Sequence, residues 1–219
     1  MYFENRSEAG QALAKALSTY KDQPDTLILA LPRGGVPVAY EVSRNLGLPL
    51  DVLLVRKLGV PGQEEFAMGA IAEGNIIYVN EEIVEQLKIP PAIIDNIINR
   101  ETTELNRRRQ LYRHDRPAPA LENKTIILID DGLATGATMH AAVNALRQIN
   151  AKRLIVAVPV GAGSTCQKLA EEADDLICLH SPYPFNGVGQ WYGDFSQTSD
   201  KEVEDLLMRA KSDNRQTLE

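Results

Sequence analysis

Short unbroken apolar runs alternate along this chain with stretches that repeat apolar residues every three to four positions. TLILAL (26–31), LDVLLVR (50–56), TIILID (125–130), RLIVAVPV (153–160) and DLICLH (175–180) are the runs. Apolar runs of this length, without polar alternation, suit parallel strands buried on both faces. The stretches between them predict helices. Ser7 is expected to cap a first helix with Leu13, Leu17 and Tyr20 on one face. VPVAYEVSRNLG (36–47) has Pro37 in its first turn and Gly47 past its end, the usual asymmetry of helix punctuation. TMHAAVNALRQIN (138–150) and STCQKLAEEA (164–173) follow two of the strands, and Ser199 with Glu202 opens a last helix in capping-box spacing. Strands alternating with helices predict an α/β fold with an open, mostly parallel sheet flanked by helices.

Three segments add to that alternation. MGAIAE (68–73) and IIYVN (76–80), split by Gly74 and Asn75, predict a hairpin. Asn80 is placed to cap EEIVEQLK. One long helix is expected from Pro91 to about Arg113, with Ile94, Ile97, Ile98 and Leu105 on a stripe, inside a helical insertion at 89–118. RPAPALEN (116–123) reads as a connector.

With 219 residues, the chain is long enough for one sizeable core, and a single domain over 1–219 is expected. A formal net charge of −7 speaks against non-specific nucleic-acid binding. Arg107, Arg108, Arg109, Arg113 and His114 form a basic helix end, which the helix dipole favours without a ligand. The lone histidines His140 and His180 read as ordinary placements. No apolar run approaches the ~20 residues of a membrane helix. Cys166 and Cys178 lack metal or disulfide spacing and suit buried thiols in a reducing compartment, so a cytoplasmic location is expected.

The stretch ILIDDGLATGATM (127–139) carries the chemistry. In open α/β sheets, ligands sit beyond the carboxyl ends of the strands. After the 125–130 strand come small residues, Gly132, Ala134, Gly136 and Ala137, over which an anion can approach backbone N–H groups at a helix start. Thr135 and Thr138 add hydroxyl donors. Asp130 and Asp131, as acceptors, would repel phosphate but pair with the hydroxyls of a sugar. Acid pair and cradle together point to a ribose 5-phosphate. The spacing is not that of a P-loop, since Ala137 stands where its lysine would be, and no dinucleotide fingerprint is present. A plain Asp-Asp-Gly turn would explain the acids but not the whole string.

ILIDDGLATGATM resembles the phosphoribosyl-pyrophosphate (PRPP) motif of type I phosphoribosyltransferases, and the chain is similar to that family from about its first strand to its tail. The resemblance implies Asp130 and Asp131 on the ribose hydroxyls, and the 5-phosphate around Gly132 and Ala134 through Thr138. It also implies a variable hood over the acceptor base. The turn after the family's first strand binds pyrophosphate, often through a non-proline cis peptide, and Arg33, Gly34 and Gly35 match that place. Alone, that turn would read as a Gly-rich bend with a solvated arginine. VRKLGVPGQEEFAMGA (55–70) resembles the family's mobile loop, assigned to 57–70. Its Lys57 and Arg56 are expected on pyrophosphate, with a structural carboxylate as the other partner for Arg56. Glu64 and Glu65 read as solvated. The hood is assigned to 181–198. There Phe185, Val188, Trp191, Tyr192 and Asp194 are candidates to frame the base, against the alternative of a satellite hydrophobic cluster.

The function expected is transfer of a 5-phosphoribosyl group from PRPP to a nitrogenous acceptor, a nucleobase by preference, with release of pyrophosphate. Asp130, Asp131, Lys57 and Arg33 would do the catalytic work. Mg²⁺ would arrive on PRPP rather than on a dedicated protein site. The family also implies a role in nucleotide metabolism and a homodimer. A PRPP- or nucleotide-sensing regulator and a ribosyl-phosphate hydrolase remain as alternatives.

Overall fold

The structure, a computed structural model, describes residues 1–74, 76–113 and 117–216, without the side chains of Glu65 and 214–216. Expectations touching Glu65, Asn75, His114 and Arg116 lie outside the described residues. In chain order the elements are α1 (Arg6–Ala16), β1 (Thr26–Ala30), α2 (Gly35–Leu46), β2 (Leu50–Val52), β3 (Val55–Val60), β4 (Gln63–Ala72), β5 (Ile76–Val79) and α3 (Glu81–Gln86). There follow α4 (Pro91–Arg113), β6 (Thr125–Ile129), α5 (Ala137–Arg147), β7 (Arg153–Val160), α6 (Gly163–Glu172), β8 (Asp175–His180) and α7 (Asp200–Gln216). They fall into two compact units, Met1–Val52 with Leu121–Gly136 and Asn150–Glu219, and Leu53–Ala120 with Ala137–Ile149.

The first unit is built on a five-stranded sheet in the order β2-β1-β6-β7-β8, every pair parallel. Its central strands match the apolar runs: β1 is buried throughout, and Ile126 to Ile129 of β6 and Leu154 to Val160 of β7 are buried without a break. Helices α1, α2 and α7 pack on one another and against strands of this sheet, and α6 packs on β8. The strand order reverses between β1 and β6. After β1 the chain moves out to β2, and after β6 it moves the other way to β7. Such a reversal opens a crevice at the carboxyl ends of the two strands.

The second unit holds the antiparallel sheet β3-β4-β5, against which α4 and α5 pack. Apolar burial comes from residues such as Leu58, Met68, Ile71, Ile97, Leu105, Met139 and Val143. Helix α4 also carries charge inward. Glu101, 7% exposed, accepts from Arg56 Nη2 at 2.7 Å and from Arg100 Nε at 3.0 Å. Arg113 Nε lies 3.3 Å from Glu73 Oε2, both side chains under 9% exposed. No described helix is long and apolar enough to cross a membrane.

Three expectations are corrected. LDVLLVR is not one strand. It splits into β2 in the parallel sheet and β3 in the antiparallel one, because both pieces are apolar and periodicity cannot mark the change of sheet. The 57–70 stretch is not a loop but most of the hairpin β3–β4, with Pro61 and Gly62 at its tip (Gly62 φ 76°) and an irregular register at Leu58–Val60 that absorbs Gly59. The first helix is capped by Asn5, whose Oδ1 accepts from the Glu8 N–H at 3.0 Å, rather than by Ser7. Ser199 caps the last helix as expected, its hydroxyl accepting from Glu202 N–H at 3.2 Å.

Breaking a buried ion pair by removing one partner costs about 3–5 kcal/mol. Arg113→Met is therefore expected to destabilise the protein by about that much, and Arg113→Met with Glu73→Gln by markedly less. Urea titrations of the two variants measure the difference.

Candidate active site

Two turns meet at the crevice where the strand order reverses. The first is Leu31–Gly35, between β1 and α2, with the Pro32–Arg33 peptide bond cis. The second is Asp130–Gly136, between β6 and α5. Their contact depends on the absence of side chains. A Cβ on Gly34 would lie 2.0 Å from Asp131 Oδ2, and one on Gly35 would lie 2.7 Å from the Ile129 carbonyl. Only glycines let the first turn sit directly on the acid pair.

The second turn is anchored from below. Leu133 N–H donates to Val160 O at 2.9 Å and Leu133 O accepts from Ala162 N–H at 2.8 Å, so the loop crosses the end of β7 as a short bridge to Gly161. Thr165 Oγ1 donates to Ala134 O at 2.7 Å. Gly132 packs under the Val188 side chain, within 2.5 Å of where its Cβ would be. With Leu133 buried, Ala134, Thr135 and Thr138 remain exposed around Gly136 (φ 71°) and the start of α5.

The acid pair sits in an unfavourable electrostatic position. Asp130 Oδ1 accepts from the Asp131 N–H at 2.9 Å. Burial first, and the Asp131 charge second, push the Asp130 carboxyl well above the usual carboxylate range. Burial also raises Asp131, but Arg6 opposes it. Arg6 Nε and Nη2 both reach Asp131 Oδ2, at 2.9 and 2.8 Å. The remaining guanidinium nitrogen, Nη1, donates to Ser196 O at 2.8 Å, and the guanidinium carbon lies 4.1 Å from the centre of the Phe195 ring.

Arg6 was not legible as a site residue. The one hint is its place in the first turn of α1, where the helix dipole disfavours a cation and some other partner must hold it. Arg33 is positioned by the first turn, and its guanidinium lies 3.8 Å from Asp200 in the first turn of α7, a loose and half-exposed pairing.

The hood candidates form a packed cluster. Tyr192 is buried, its hydroxyl donating to the Asp131 carbonyl at 2.7 Å and its ring lying 5.7 Å from Phe3 and 5.1 Å from Phe195. Phe185, Val188 and Trp191 are partly buried against Phe3, Ala9, Val160 and Tyr192. Trp191 stands edge-on to His180 at 5.0 Å, and its indole N–H is buried with no hydrogen-bond partner among the described residues. Asp194 is exposed, and the Ser196 N–H, 2.9 Å from its Oδ1, lowers its carboxyl below the usual range. The N-terminal segment ties this hood down, with Phe3 N–H on Trp191 O at 2.9 Å and Gly193 N–H on Phe3 O at 2.8 Å. In the second unit, Arg56 is held by Glu101, and Lys57 follows it on β3.

Chemically, the first unit thus assembles two acceptor carboxylates, an open run of small residues after β6, and a Gly-Gly turn packed directly against the acids, with the Gly35 N–H bonded to Leu31 O at 3.1 Å. Among the described residues no three side chains of metal-ligating type converge.

The family model described as "Phosphoribosyl transferase domain" matches residues 3–192. A Mycobacterium tuberculosis protein named "putative phosphoribosyl transferase" is 42% identical over 211 residues, covering 96% of this chain and 47% of that protein. This chain thus spans about half the length of that curated relative. A Leuconostoc citreum protein named "Bifunctional protein PyrR" is 35% identical over 136 residues, covering 61% of this chain and 71% of that protein. The crystal structure of the Thermus thermophilus protein TT1426 superposes with a TM-score of 0.88 at 38% identity, covering 95% of this chain and 99% of that one.

Because burial raises the Asp130 carboxyl above its unfolded value, folding there favours the protonated form. Its contribution to stability is present below the unfolded pKa and is lost as pH rises through the folded one. Asp130→Asn keeps the Oδ1 acceptor and removes the charge. It is expected to raise the Tm near neutral pH by about 2–4 °C, a gain that fades towards about pH 4. Thermal melts across pH measure both.

Proposed function

Since this chain belongs to the phosphoribosyl transferase domain family, we propose that it binds PRPP and transfers the 5-phosphoribosyl group to a nitrogenous acceptor, a nucleobase by preference, releasing pyrophosphate. The observation that carries the reading is the pairing of the Gly34–Gly35 turn with Asp130 and Asp131 at the reversal of strand order.

Each part of PRPP has a chemically matched partner in this reading. The ribose diol donates to Asp130 and Asp131. The 5-phosphate accepts from N–H groups between Gly132 and Thr138, aided by the N-terminus of α5. Pyrophosphate lies against Arg33 and Gly34, at the turn that the Gly35 N–H closes by donating to Leu31 O at 3.1 Å. Lys57 keeps the pyrophosphate role that the sequence resemblance implies, while Arg56 is engaged by Glu101. As the bond from C1 to pyrophosphate lengthens, positive charge grows on the ribose ring. Carboxylates held beside the diol favour that charge, the more so because their partial burial weakens screening by water. The burial that makes the acid pair costly in the free protein strengthens its interaction with the sugar. A nitrogen of the acceptor, framed by the hood at 181–198, attacks C1 from the face opposite the leaving group.

Mg²⁺ belongs to the substrate. Its place is on the pyrophosphate oxygens of PRPP, where it neutralises the leaving group, and the carboxylates of the site remain with the diol. Nucleotide metabolism, a homodimer and a cytoplasmic location belong to the same proposal.

The test is PRPP turnover with a panel of bases, together with calorimetric PRPP binding to wild type and to Asp130→Asn/Asp131→Asn. Pyrophosphate release with one base and a loss of about 10²-fold or more in PRPP affinity in the variant are expected. Unchanged PRPP binding in the variant would sink the assignment. Tight binding without pyrophosphate release from any base would point to a sensor, and free ribose phosphate to a hydrolase.

A further inference from the structure

We propose that Arg6 is a positioning residue of the sugar site, fixing the Asp131 carboxylate by one oxygen and tying it to the hood. The inference rests on the PRPP reading for its functional consequence, but its geometry stands apart from that reading. Both Arg6–Asp131 contacts fall on one oxygen, Oδ2, at 2.9 and 2.8 Å. The same oxygen faces Gly34, where a Cβ would intrude to 2.0 Å. Oδ2 is therefore the structural oxygen of Asp131, fixed between α1 and the pyrophosphate turn. Oδ1 is left as the acceptor for a sugar hydroxyl.

The remainder of the Arg6 guanidinium belongs to the hood. Nη1 is bonded to Ser196 O at 2.8 Å, and one face of the plane covers Phe195 at 4.1 Å. Tyr192 closes the link from the other side by donating to the Asp131 carbonyl at 2.7 Å. Among the described residues, Asp131 has three charged or titratable neighbours. Asp130 precedes it on the same loop, Arg6 approaches from α1, and the Tyr192 hydroxyl approaches from the hood. Asp130 disfavours a second negative charge, and Tyr192 is neutral, its phenol raised further by burial and by the Asp131 charge. Arg6 is the only cation among these three.

An arginine suits this task better than a lysine. Its planar fork reaches the carboxylate and the Ser196 carbonyl at once and stacks on the ring, and it remains charged when desolvated. Arg6 opposes the upward shift of both carboxyls and so favours their acceptor forms. Without it, burial and the neighbouring Asp130 favour a proton on the pair, and a protonated acid is a poorer partner for a hydroxyl donor.

The test uses Arg6→Met, which keeps the apolar stem, and Arg6→Lys, which keeps the charge, with folding checked by circular dichroism and thermal melts. PRPP affinity is measured by calorimetry across pH. Wild type is expected to vary little. Arg6→Met is expected to bind at least about tenfold more weakly near pH 6 and to recover most of that loss near pH 9, because deprotonation at higher pH restores the acceptor. Arg6→Lys is expected to lose affinity several-fold with a flat profile. A loss in Arg6→Met that is equal at every pH would make Arg6 a purely structural residue and overturn the proposal, as would unaltered binding. Carbon-13 NMR titration of the Asp131 carboxyl provides a readout that needs no PRPP. The proposal expects its proton affinity to rise about tenfold or more in Arg6→Met, and an unchanged midpoint overturns it. If wild type fails to bind PRPP, the functional reading falls, while the NMR titration still decides the role of Arg6.

Discussion

Two adjacent, partly buried carboxylates at the end of a central strand are the constraint on which the rest of the site depends. Asp130 and Asp131 repel each other, and the strand end that carries them gives little water to screen that repulsion. The surrounding structure answers in a graded way. Arg6 neutralises Asp131 through one oxygen, Tyr192 holds the Asp131 backbone, and the Asp131 N–H supports Asp130. Asp130 retains most of the unrelieved cost. A ligand that brings hydroxyl donors, and develops positive charge next to them, is the natural completion of such a pair. Stability and binding are therefore opposed at one residue, the usual signature of a site shaped by function.

The fold explains why the pair lies where it does. A parallel sheet whose order reverses between β1 and β6 leaves a crevice at the carboxyl ends of those two strands. The turns that leave these strands are the two that lack side chains. Gly34 and Gly35 allow the first turn to rest on the second, so its backbone lies directly against Asp130 and Asp131. The hood is fixed to the same place from both ends, by Phe3 pairing with residues 191–193 and by Arg6 reaching Ser196. Much of the hood's aromatic surface is consumed in its own packing, which places Tyr192 among the structural members of the site.

Much of this was legible in the chain. Apolar runs marked the parallel strands, because burial on both faces leaves no polar alternation to disguise them. Small residues after β6 marked the cradle, because close approach of backbone excludes side chains. What was not legible depends on contacts between residues distant in sequence. Leu50 to Val60 is apolar on both sides of its change of sheet, so the division into β2 and β3 left no trace in hydropathy. Gly59, Pro61 and Gly62 suggested a loop, but a register irregularity and a tight tip accommodate them within a hairpin. Arg6 is 125 positions from the aspartate it serves, and nothing local identifies it except its poor fit to a helix start. Arg56 illustrates the converse: a cation at a strand end, expected on a ligand or on a carboxylate, is held by the carboxylate Glu101.

The central claim is that the acid pair and the small-residue cradle are two halves of one sugar-phosphate site. A crystal structure of the protein with Mg²⁺–PRPP tests it most directly. Both ribose hydroxyls are expected within hydrogen-bond distance of the Asp130 and Asp131 carboxylates, and the 5-phosphate against the N–H groups of residues 132–138. A ribose diol turned away from both carboxylates, or a 5-phosphate bound elsewhere, would contradict it.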